Sequence, residues 1–413
     1  MLFQFYPREK NLITKRYHRT RGAHNPFISI IYILESEIKM LIVSKKKSAI
    51  KLLQTGVELT VVGSVGMEEN QMSLICGLPD DIALSCLARV PRKYHAVLKC
   101  VSKRWRELVC SDEFYDYRRM HSLSETWIYA LCCDKYGKIW FYVVDPNESQ
   151  RRWKCVPGLP ARTLNKMGMG FEVLGKKVYL LGGGGWLEST NEAFCYDVSR
   201  NSWIQVASLS TARCDSAFQV YDGKIYAIGG LASTRSDPYS WDIFDPHTNS
   251  WEFHSNDCAV PEVEDSVVLD GKIYIRCRAS ASTMSSPFYA VVYEPSSGMW
   301  QRADADMVSG WQGPAVVVDG TLYVLDQSSG TKLMMWQKDK REWVAVKRLS
   351  TLLTKPPCQL AAIGKKLFIV GRGLSTVVLD TSQTGSVEGA MVGTSIPGLI
   401  TADKVLNCKC QTL

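Results

Sequence analysis

Residues 217–253 read AFQVYDGKIYAIGGLASTRSDPYSWDIFDPHTNSWEF, and this stretch contains one complete structural unit. Two β-rich runs flank Asp222-Gly223, a dipeptide that favours the positive φ angles of a tight hairpin turn. A third β-rich run covers residues 241–246, and a fourth begins at Trp251. The stretch therefore predicts four short antiparallel strands that follow one another along the chain.

The same unit recurs through the last two thirds of the sequence. Two aromatic positions mark it, each repeating at intervals of 43 to 50 residues. The markers are Trp153, Trp203, Trp251, Trp300 and Trp343 in one series, and Tyr129, Tyr179, Tyr226, Tyr274, Tyr323 and Phe368 in the other. A period of this length with several short strands per unit is typical of a β-propeller. The sequence therefore predicts an all-β propeller of six blades over residues 125–413.

The first unit of this domain is truncated. Residues 127–133 align with the second strands of the other units, so the first unit has no innermost strand of its own. Residues after Leu399, including 404–408, are left over at the other end of the domain. Because an open ring would leave two sheet edges unpaired, we expect the C-terminal tail to complete the first blade and close the ring.

Residues 74–117 have the pattern of a short α-helical domain. The run Leu78-Pro79-Asp80-Asp81 is a helix start, with proline and acidic residues in the first turn. Pro91 ends that helix. Four apolar residues then fall at helical spacing and predict one continuous apolar stripe: Val97, Val101, Trp105 and Leu108. A domain this short buries little surface, so we expect part of its apolar face to pack on a partner.

Residues 1–66 differ from the rest in charge. They hold a net charge of +7 out of the +8 of the whole chain, so the remaining 347 residues are almost neutral. The body of the protein is therefore not expected to bind nucleic acid. Residues 1–66 show no clean period, and Met67 begins an ordinary acidic start. We expect a disordered segment or a non-native extension, with translation beginning at Met67.

The residues that support catalysis or metal binding are scarce. The fourteen cysteines are scattered, with no C-x-x-C pair at zinc spacing, and only four histidines follow residue 66. No H-E-x-x-H, G-x-S-x-G or P-loop motif occurs. No run reaches the roughly 18 to 20 apolar residues that a bilayer span requires. We therefore expect no catalytic residues, metal, cofactor or membrane partner, and a cytoplasmic or nuclear location with reduced thiols.

Both domains resemble known families. Residues 78–114 resemble the F-box, with the Leu78-Pro79 opening, the mid-domain Pro91 and the Val-x-Lys-x-Trp-Arg-x-Leu run of residues 101–108 in register. The repeats resemble kelch motifs, with paired glycines such as Gly229-Gly230. The arrangement is similar to that of plant F-box/kelch-repeat proteins, the substrate receptors of SCF-type cullin ubiquitin ligases. The expected fold class is thus an α-helical F-box followed by a kelch-type six-bladed β-propeller.

This resemblance implies two protein partners. The F-box would bind a Skp-family adaptor and through it a cullin, and the propeller would bind a target protein for ubiquitination. The residues that would form or support the adaptor-facing surface are Leu78, Pro79, Ile82, Leu87, Pro91, Val101, Trp105 and Leu108. Two alternatives remain: an F-box scaffold that acts outside the ligase, and a propeller enzyme that acts on glycans or small molecules.

The substrate-binding face is inferred from the loops. In a propeller, the loops between strands 2 and 3 and those between blades open on the same face. Aromatic and arginine side chains on such loops are the usual composition of a protein-binding hot spot. The candidates are Trp186, Arg213, Arg235, Tyr239, Arg278 and Trp311.

Overall fold

The computed structural model describes residues 73–75, 78–148, 151–184, 188–230, 239–278, 288–383, 394–396 and 402–413. The chain divides into two compact units, one ending at Glu125 and the other beginning at Thr126. The expectations for residues 1–66 fall outside the described residues. None of the helices in the described ranges has both the length and the apolar composition that crossing a bilayer requires.

The first unit is helical. Its elements are α1 (Asp80–Ala88), a 3₁₀ turn (Arg92–Tyr94), α2 (His95–Leu98), α3 (Lys103–Cys110) and α4 (Asp112–Met120). Helix α4 contacts α1 and α3, and α3 also contacts α2. The buried apolar residues include Leu87, Leu98, Trp105, Val109 and Phe114. A small core of this kind is what a helical domain of about 45 residues can form.

The continuous apolar stripe predicted for Val97 to Leu108 is wrong, because the helix is interrupted. Ser102 has extended backbone angles, φ −151° and ψ 165°, and its hydroxyl accepts a hydrogen bond from the Trp105 amide at 3.1 Å. Serine favours this N-cap geometry over the helix interior. Val97 therefore lies on α2, Val101 between the helices, and Trp105 and Leu108 on α3.

The second unit contains, within the described residues, six four-stranded antiparallel sheets. Blade 1 consists of β24 (Lys404–Thr412), β1 (Thr126–Cys133), β2 (Ile139–Val144) and β3 (Lys154–Cys155), and blade 2 of β4 (Gly170–Leu174), β5 (Lys177–Leu181), β6 (Ala193–Asp197) and β7 (Ser202–Val206). Blade 3 consists of β8 (Ala217–Tyr221), β9 (Lys224–Ile228), β10 (Ser240–Asp245) and β11 (Ser250–Ser255), and blade 4 of β12 (Val263–Leu269), β13 (Lys272–Arg278), β14 (Phe288–Glu294) and β15 (Met299–Arg302). Blade 5 consists of β16 (Ala315–Val318), β17 (Thr321–Asp326), β18 (Thr331–Gln337) and β19 (Glu342–Leu349), and blade 6 of β20 (Gln359–Ile363), β21 (Lys366–Val370), β22 (Thr376–Asp380) and β23 (Thr394–Ile396). Two short helices, α5 (Ala305–Gly310) and α6 (Thr351–Thr354), lie in loops between blades. The predicted helical domain followed by a six-bladed propeller is thus confirmed.

The hairpin turns are those that the sequence predicts. Asp222 and Gly223 both have positive φ, 45° and 71°. Asp270-Gly271 and Asp319-Gly320 adopt the same geometry in blades 4 and 5. A two-residue turn with both φ angles positive matches the right-handed twist of the strands that it joins.

The ring is closed by the C-terminal strand. The innermost strands of successive blades contact one another all the way round, in the order β4, β8, β12, β16, β20 and β24, and β24 in turn contacts β4. Strand β24 pairs with β1 from Thr126 opposite Thr412 to Cys133 opposite Lys404. Pairing the two ends of the domain leaves no open edge at the joint between them.

The repeated aromatic residues fill the spaces between blades. Between blades 1 and 2, the Phe141 ring packs on Phe171 and on the marker Trp203, at centroid distances of 6.0 and 5.4 Å. Between blades 2 and 3, the Tyr179 ring packs on Phe244 at 5.7 Å, and Phe244 packs on Trp251 at 5.0 Å. The aromatic period therefore reports inter-blade packing.

A carboxylate placed on the inner face of β24 should open the ring. Cys408 is 3% exposed and packs among apolar residues of blades 1 and 6. Asn407, the preceding residue, is only half-buried. We expect Cys408→Asp to lower the free energy of unfolding by about 3 kcal/mol or more, because it buries an unpaired charge. Asn407→Asp should cost less than about 1 kcal/mol. Urea denaturation of the two full-length variants makes the comparison, and equal losses would contradict the burial of the Cys408 side chain between blades 1 and 6.

Candidate functional site

The residues expected to face an adaptor fall into exposed, half-buried and buried groups. Pro79, Ile82 and Pro91 are exposed, and Leu78, Val101 and Leu108 are half-buried. Leu87 and Trp105, at 0% and 7% exposed, lie in the interior of the helical unit. These two residues can therefore support a binding surface but cannot provide its contact area.

Trp105 fixes the segment that precedes α1. Its indole Nε1 donates to the carbonyl of Leu74 at 2.6 Å. The neighbouring Arg104 forms an ion pair with Asp80 in the first turn of α1. The Leu74 amide, with a smaller contribution from Arg104, holds the pKa of Asp80 below its usual range. The Leu78-Pro79 opening is thus positioned by α3 as well as by its own helix.

A buried arginine holds the helical unit together. The Arg118 side chain is 1% exposed and donates to the carbonyls of Ala88, Val90 and Leu123, and it forms an ion pair with Glu125 at 2.8 Å. The sequence analysis did not identify Arg118, because an arginine in a short polar helix looks like a surface residue. Burying such a cation is costly unless it is paired, and both terminal nitrogens of the Arg118 guanidinium have partners.

His95 lies beside this arginine. Its Nε2 is 3.2 Å from the carbonyl oxygen of Val90, and its ring packs edge-on against Phe114 at a centroid distance of 5.4 Å. Burial, together with the charge of Arg118, lowers the pKa of His95 to about 3. His95 is therefore neutral at physiological pH and serves the core of the unit.

The innermost strands of the propeller enclose a polar channel of about 950 Å³. Within it, the Lys409 ammonium on β24 forms an ion pair with Glu172 on β4 at 2.6 Å. Burial raises the pKa of Glu172, and Lys409 opposes that shift. The Gln219 amide donates to the carbonyl of Ser266 at 2.7 Å. These contacts bridge neighbouring blades across the channel wall.

The mouth of the channel lies where the innermost strands begin. It carries the carboxylates of Asp215, Glu262 and Glu264 and the cations of Arg278 and Lys404. Burial and the nearby Glu264 raise the pKa of Asp215. Arg278 donates to Glu264 at 2.8 Å. The mouth therefore presents groups of both charges that can form hydrogen bonds and ion pairs. In the described ranges, no three His, Cys, Asp or Glu side chains are grouped so that they could hold a metal ion.

Two of the six residues proposed for the substrate-binding face are exposed. Tyr239 is 45% exposed, and the Arg278 side chain is more than half exposed. Trp186 and Arg235 lie outside the described residues. The prediction for Arg213 and Trp311 is wrong, because both are buried, at 2% and 0% exposed.

Arg213 connects two blades. Its guanidinium group donates to Asp242 at 3.0 Å and to the carbonyls of Ser240 and Gly229 at 2.9 and 3.1 Å. Its own carbonyl accepts a hydrogen bond from the Gly183 amide of blade 2 at 2.8 Å. A Cβ on the adjacent Gly182 would lie 2.4 Å from that carbonyl, so the paired glycine makes the close approach possible.

Trp311 connects blades 4 and 5. Its Nε1 donates to Asp265 at 2.9 Å, and the Ala315 amide donates to the same carboxylate at 2.8 Å. Burial raises the pKa of Asp265 to about 6, and the Trp311 hydrogen bond opposes that shift. The sequence analysis missed Asp265, because nothing in the pattern of β12 separates an inter-blade carboxylate from one at the channel mouth.

Comparisons with known proteins match both units. The F-box domain model matches residues 75–117, and the model described as FKB95, Kelch-repeats domain matches residues 140–384. F-box/kelch-repeat protein SKIP4 of Arabidopsis thaliana is 49% identical over 346 residues, which cover 83% of this chain and 95% of that protein. F-box/kelch-repeat protein At1g67480 of the same plant is 34% identical over 197 residues, which cover 45% of this chain and 50% of that protein. A solved structure described as "Structure of YjhT" aligns with a TM-score of 0.47 and 13% identity, over 62% of this chain and 91% of that one.

Removing the Arg213 side chain should destabilise the propeller strongly. We expect Arg213→Met to cost about 3–5 kcal/mol of unfolding free energy, because it leaves Asp242 buried without its cation. The matched control is Arg278→Met, which breaks a more exposed ion pair and should cost less than about 1 kcal/mol. Urea denaturation measures both variants. Similar losses would show that Arg213 does not hold the blades together.

Acid should destabilise the helical unit through His95. The lowered pKa means that the unfolded chain takes up a proton as pH falls below 6.5, whereas the folded unit does not until about pH 3. The stabilisation is thus present above pH 6.5 and is lost on acidification, by about 2 kcal/mol between pH 6.5 and 5. Hydrogen exchange of residues 92–120, corrected for the intrinsic effect of pH, measures this loss. In His95→Gln, the slope of unfolding free energy against pH should be smaller by the contribution of one proton. An unchanged slope would mean that groups other than His95 cause the acid sensitivity.

Proposed function

The chain belongs to the F-box/kelch-repeat family, and from this premise we propose that it is the substrate receptor of an SCF-type cullin ubiquitin ligase. The F-box unit binds a Skp-family adaptor and through it the cullin, and the propeller binds the protein to be ubiquitinated. Proteins of this family are typically such receptors, and the F-box implies binding to Skp-family adaptors.

The observation that carries the proposal is the exposed apolar opening of the helical unit. Pro79 is exposed and Ile82 is 42% exposed, in a unit whose interior is already filled by Leu87 and Trp105. Trp105 and Arg104 hold this opening in place through Leu74 and Asp80. An apolar surface that is both exposed and preorganised supports helix packing with a partner at a low entropic cost.

The propeller acts as a binding module in this proposal. F-box/kelch-repeat proteins are generally adaptors rather than enzymes. The buried charges of Arg213 and Asp242 and the half-buried Asp265 serve contacts between blades, whereas Tyr239 and Arg278 remain exposed. We infer that the substrate contacts these two exposed side chains, and that no cofactor takes part.

We further propose a cytoplasmic or nuclear location. The thirteen cysteines in the described part of the chain are all free thiols. Eleven of these thiols have a pKa raised above the ordinary value, in each case chiefly by burial: Cys86, Cys132, Cys133, Cys155, Cys195, Cys214, Cys258, Cys277, Cys358, Cys408 and Cys410. Buried, protonated thiols without disulfides are usual in a reducing compartment.

Removing the exposed apolar side chains at the start of α1 should weaken adaptor binding strongly. In the full-length chain, we expect Pro79→Ala combined with Ile82→Ala to weaken binding to a purified Skp-family adaptor at least tenfold, measured by calorimetry. The control combines Lys103→Ala with Glu107→Ala, which removes an exposed ion pair of α3 and should change the affinity less than twofold. Wild-type affinity in the α1 variant, with the fold intact, would refute the F-box proposal.

Co-purification from plant cells separates the ligase from its alternatives. Recovery of both the adaptor and a cullin supports the receptor. Recovery of the adaptor without a cullin favours a scaffold outside the ligase. Recovery of neither the adaptor nor a cullin favours a propeller enzyme that acts on glycans or small molecules.

A further inference from the structure

Two adjacent leucines are exposed on the loop between blades 5 and 6. Leu352 and Leu353 in α6 are 82% and 61% exposed. Their turn is nevertheless well fixed, because the Ser350 carbonyl accepts the Thr354 amide at 3.0 Å and Thr354 is fully buried. Because these side chains are exposed, their apolar surface does not contribute to the stability of the fold. A cluster of exposed apolar side chains usually marks a binding site.

A third large apolar side chain stands on the loop between β1 and β2. Tyr136 is 82% exposed. The Asp134 carboxylate fixes this loop by accepting the amides of Tyr136 and Lys138 at 2.9 and 3.0 Å and the Trp140 indole at 3.1 Å. The Lys135 ammonium lies 4.9 Å from the centre of the Tyr136 ring. The tyrosine is thus presented on a rigid support.

Hydrogen bonds connect these two loops along one rim of the propeller. The links are Ser375 Oγ to Leu353 O at 3.0 Å, the Gly373 amide to Ala402 O at 2.6 Å and the Asp403 amide to Cys133 O at 3.0 Å. The chain of contacts runs from α6 through the β21–β22 loop and the start of β24 to the end of β1. We call the exposed side chains along it the rim patch: Leu352, Leu353, Lys355, Arg372, Lys135 and Tyr136.

The cations of the rim patch have little internal compensation. In the described residues, no carboxylate forms an ion pair with Lys355, and Arg372 approaches only Asp403, at 3.9 Å. The Arg372 amide donates to the Lys355 carbonyl at 2.7 Å, so the two basic residues are neighbours beside the leucines. The channel mouth on the same face carries Asp215 and Glu264. A flat anionic bilayer on this face would be repelled by those carboxylates, whereas a narrow acidic segment can bind to the cations without approaching them.

We propose that the rim patch binds a linear segment of the protein substrate in which apolar side chains stand among aspartate and glutamate residues. The interpretation of this site as a substrate-recognition site rests on the proposed receptor function. The leucines and Tyr136 provide the apolar anchors, and the three cations set the charge preference of the site. Because both loops are fixed before binding, the segment bears most of the ordering cost.

The test is selection of a random sixteen-residue peptide library, displayed on phage, against the purified full-length chain. We expect enriched peptides to be acidic and to contain leucine or aromatic residues. Their synthetic forms should bind Leu352→Ser/Leu353→Ser at least tenfold more weakly than wild type. The matched control is Ile204→Ser/Phe253→Ser, which removes exposed apolar side chains, 43% and 53% exposed, from the outer strands β7 and β11. Affinity for this control should stay within twofold of wild type.

Charge reversal gives an independent readout. Lys355→Glu combined with Arg372→Glu should lose the acidic peptides and enrich basic ones. Enrichment of basic peptides by the wild type, equal affinity in the leucine variant, or no enrichment at all would each overturn the proposal. It would also be overturned if the patch mediated self-association in sedimentation, or binding to phosphatidylserine vesicles at 150 mM salt.

Adaptor binding by the leucine variant separates this proposal from the receptor function. We expect it to equal that of wild type, because the substitutions lie in the propeller unit. Peptide binding that depends on the patch, in a protein that binds no adaptor, would refute the receptor function and leave the acidic-segment site standing. Adaptor binding by a protein that binds no acidic peptide would refute the acidic-segment site and leave the receptor function standing.

Discussion

The pairing of β24 with β1 is the constraint on which the propeller depends. Six twisted sheets close into a ring only when the first and last strands meet, since either end alone would leave a row of unpaired backbone groups. This one ladder also places Lys409 opposite Glu172 in the channel and Lys404 at its mouth. The segment farthest along the sequence thus completes the blade that begins the domain.

Closure of the ring places some polar residues between blades and others at the channel mouth. Charges that face a neighbouring blade, such as Arg213 with Asp242, are buried and hold adjacent sheets in register. Charges at the start of the innermost strands, such as Asp215 and Arg278, surround the channel mouth. Because the inter-blade loops and the β21–β22 loop meet on one face, exposed apolar residues there can form a continuous surface. The ring therefore separates the residues that stabilise it from those available to a partner.

The helical unit shows the same separation on a smaller scale. Arg118 and His95 are buried and bind the carbonyl of Val90 between α1 and α2, and Trp105 fixes the residues before α1. Pro79 and Ile82 remain outside, where the small core cannot cover them. A unit with this division can keep its fold and still present a ready apolar surface, which is what binding to an adaptor protein requires.

The sequence by itself determined the two-part architecture, the blade period and the hairpin turns, because these follow from local spacing: aromatic residues every 43 to 50 positions and Asp-Gly between β-rich runs. The local pattern also located the helix start at Leu78-Pro79, which the resemblance identified as the opening of the F-box. It could not distinguish Arg213 and Trp311 from binding residues, since burial depends on which blade lies opposite. Nor could it bring Leu352 and Tyr136, more than 200 residues apart, onto one rim. Only ring closure decides such neighbours, because it joins segments that are remote in the chain.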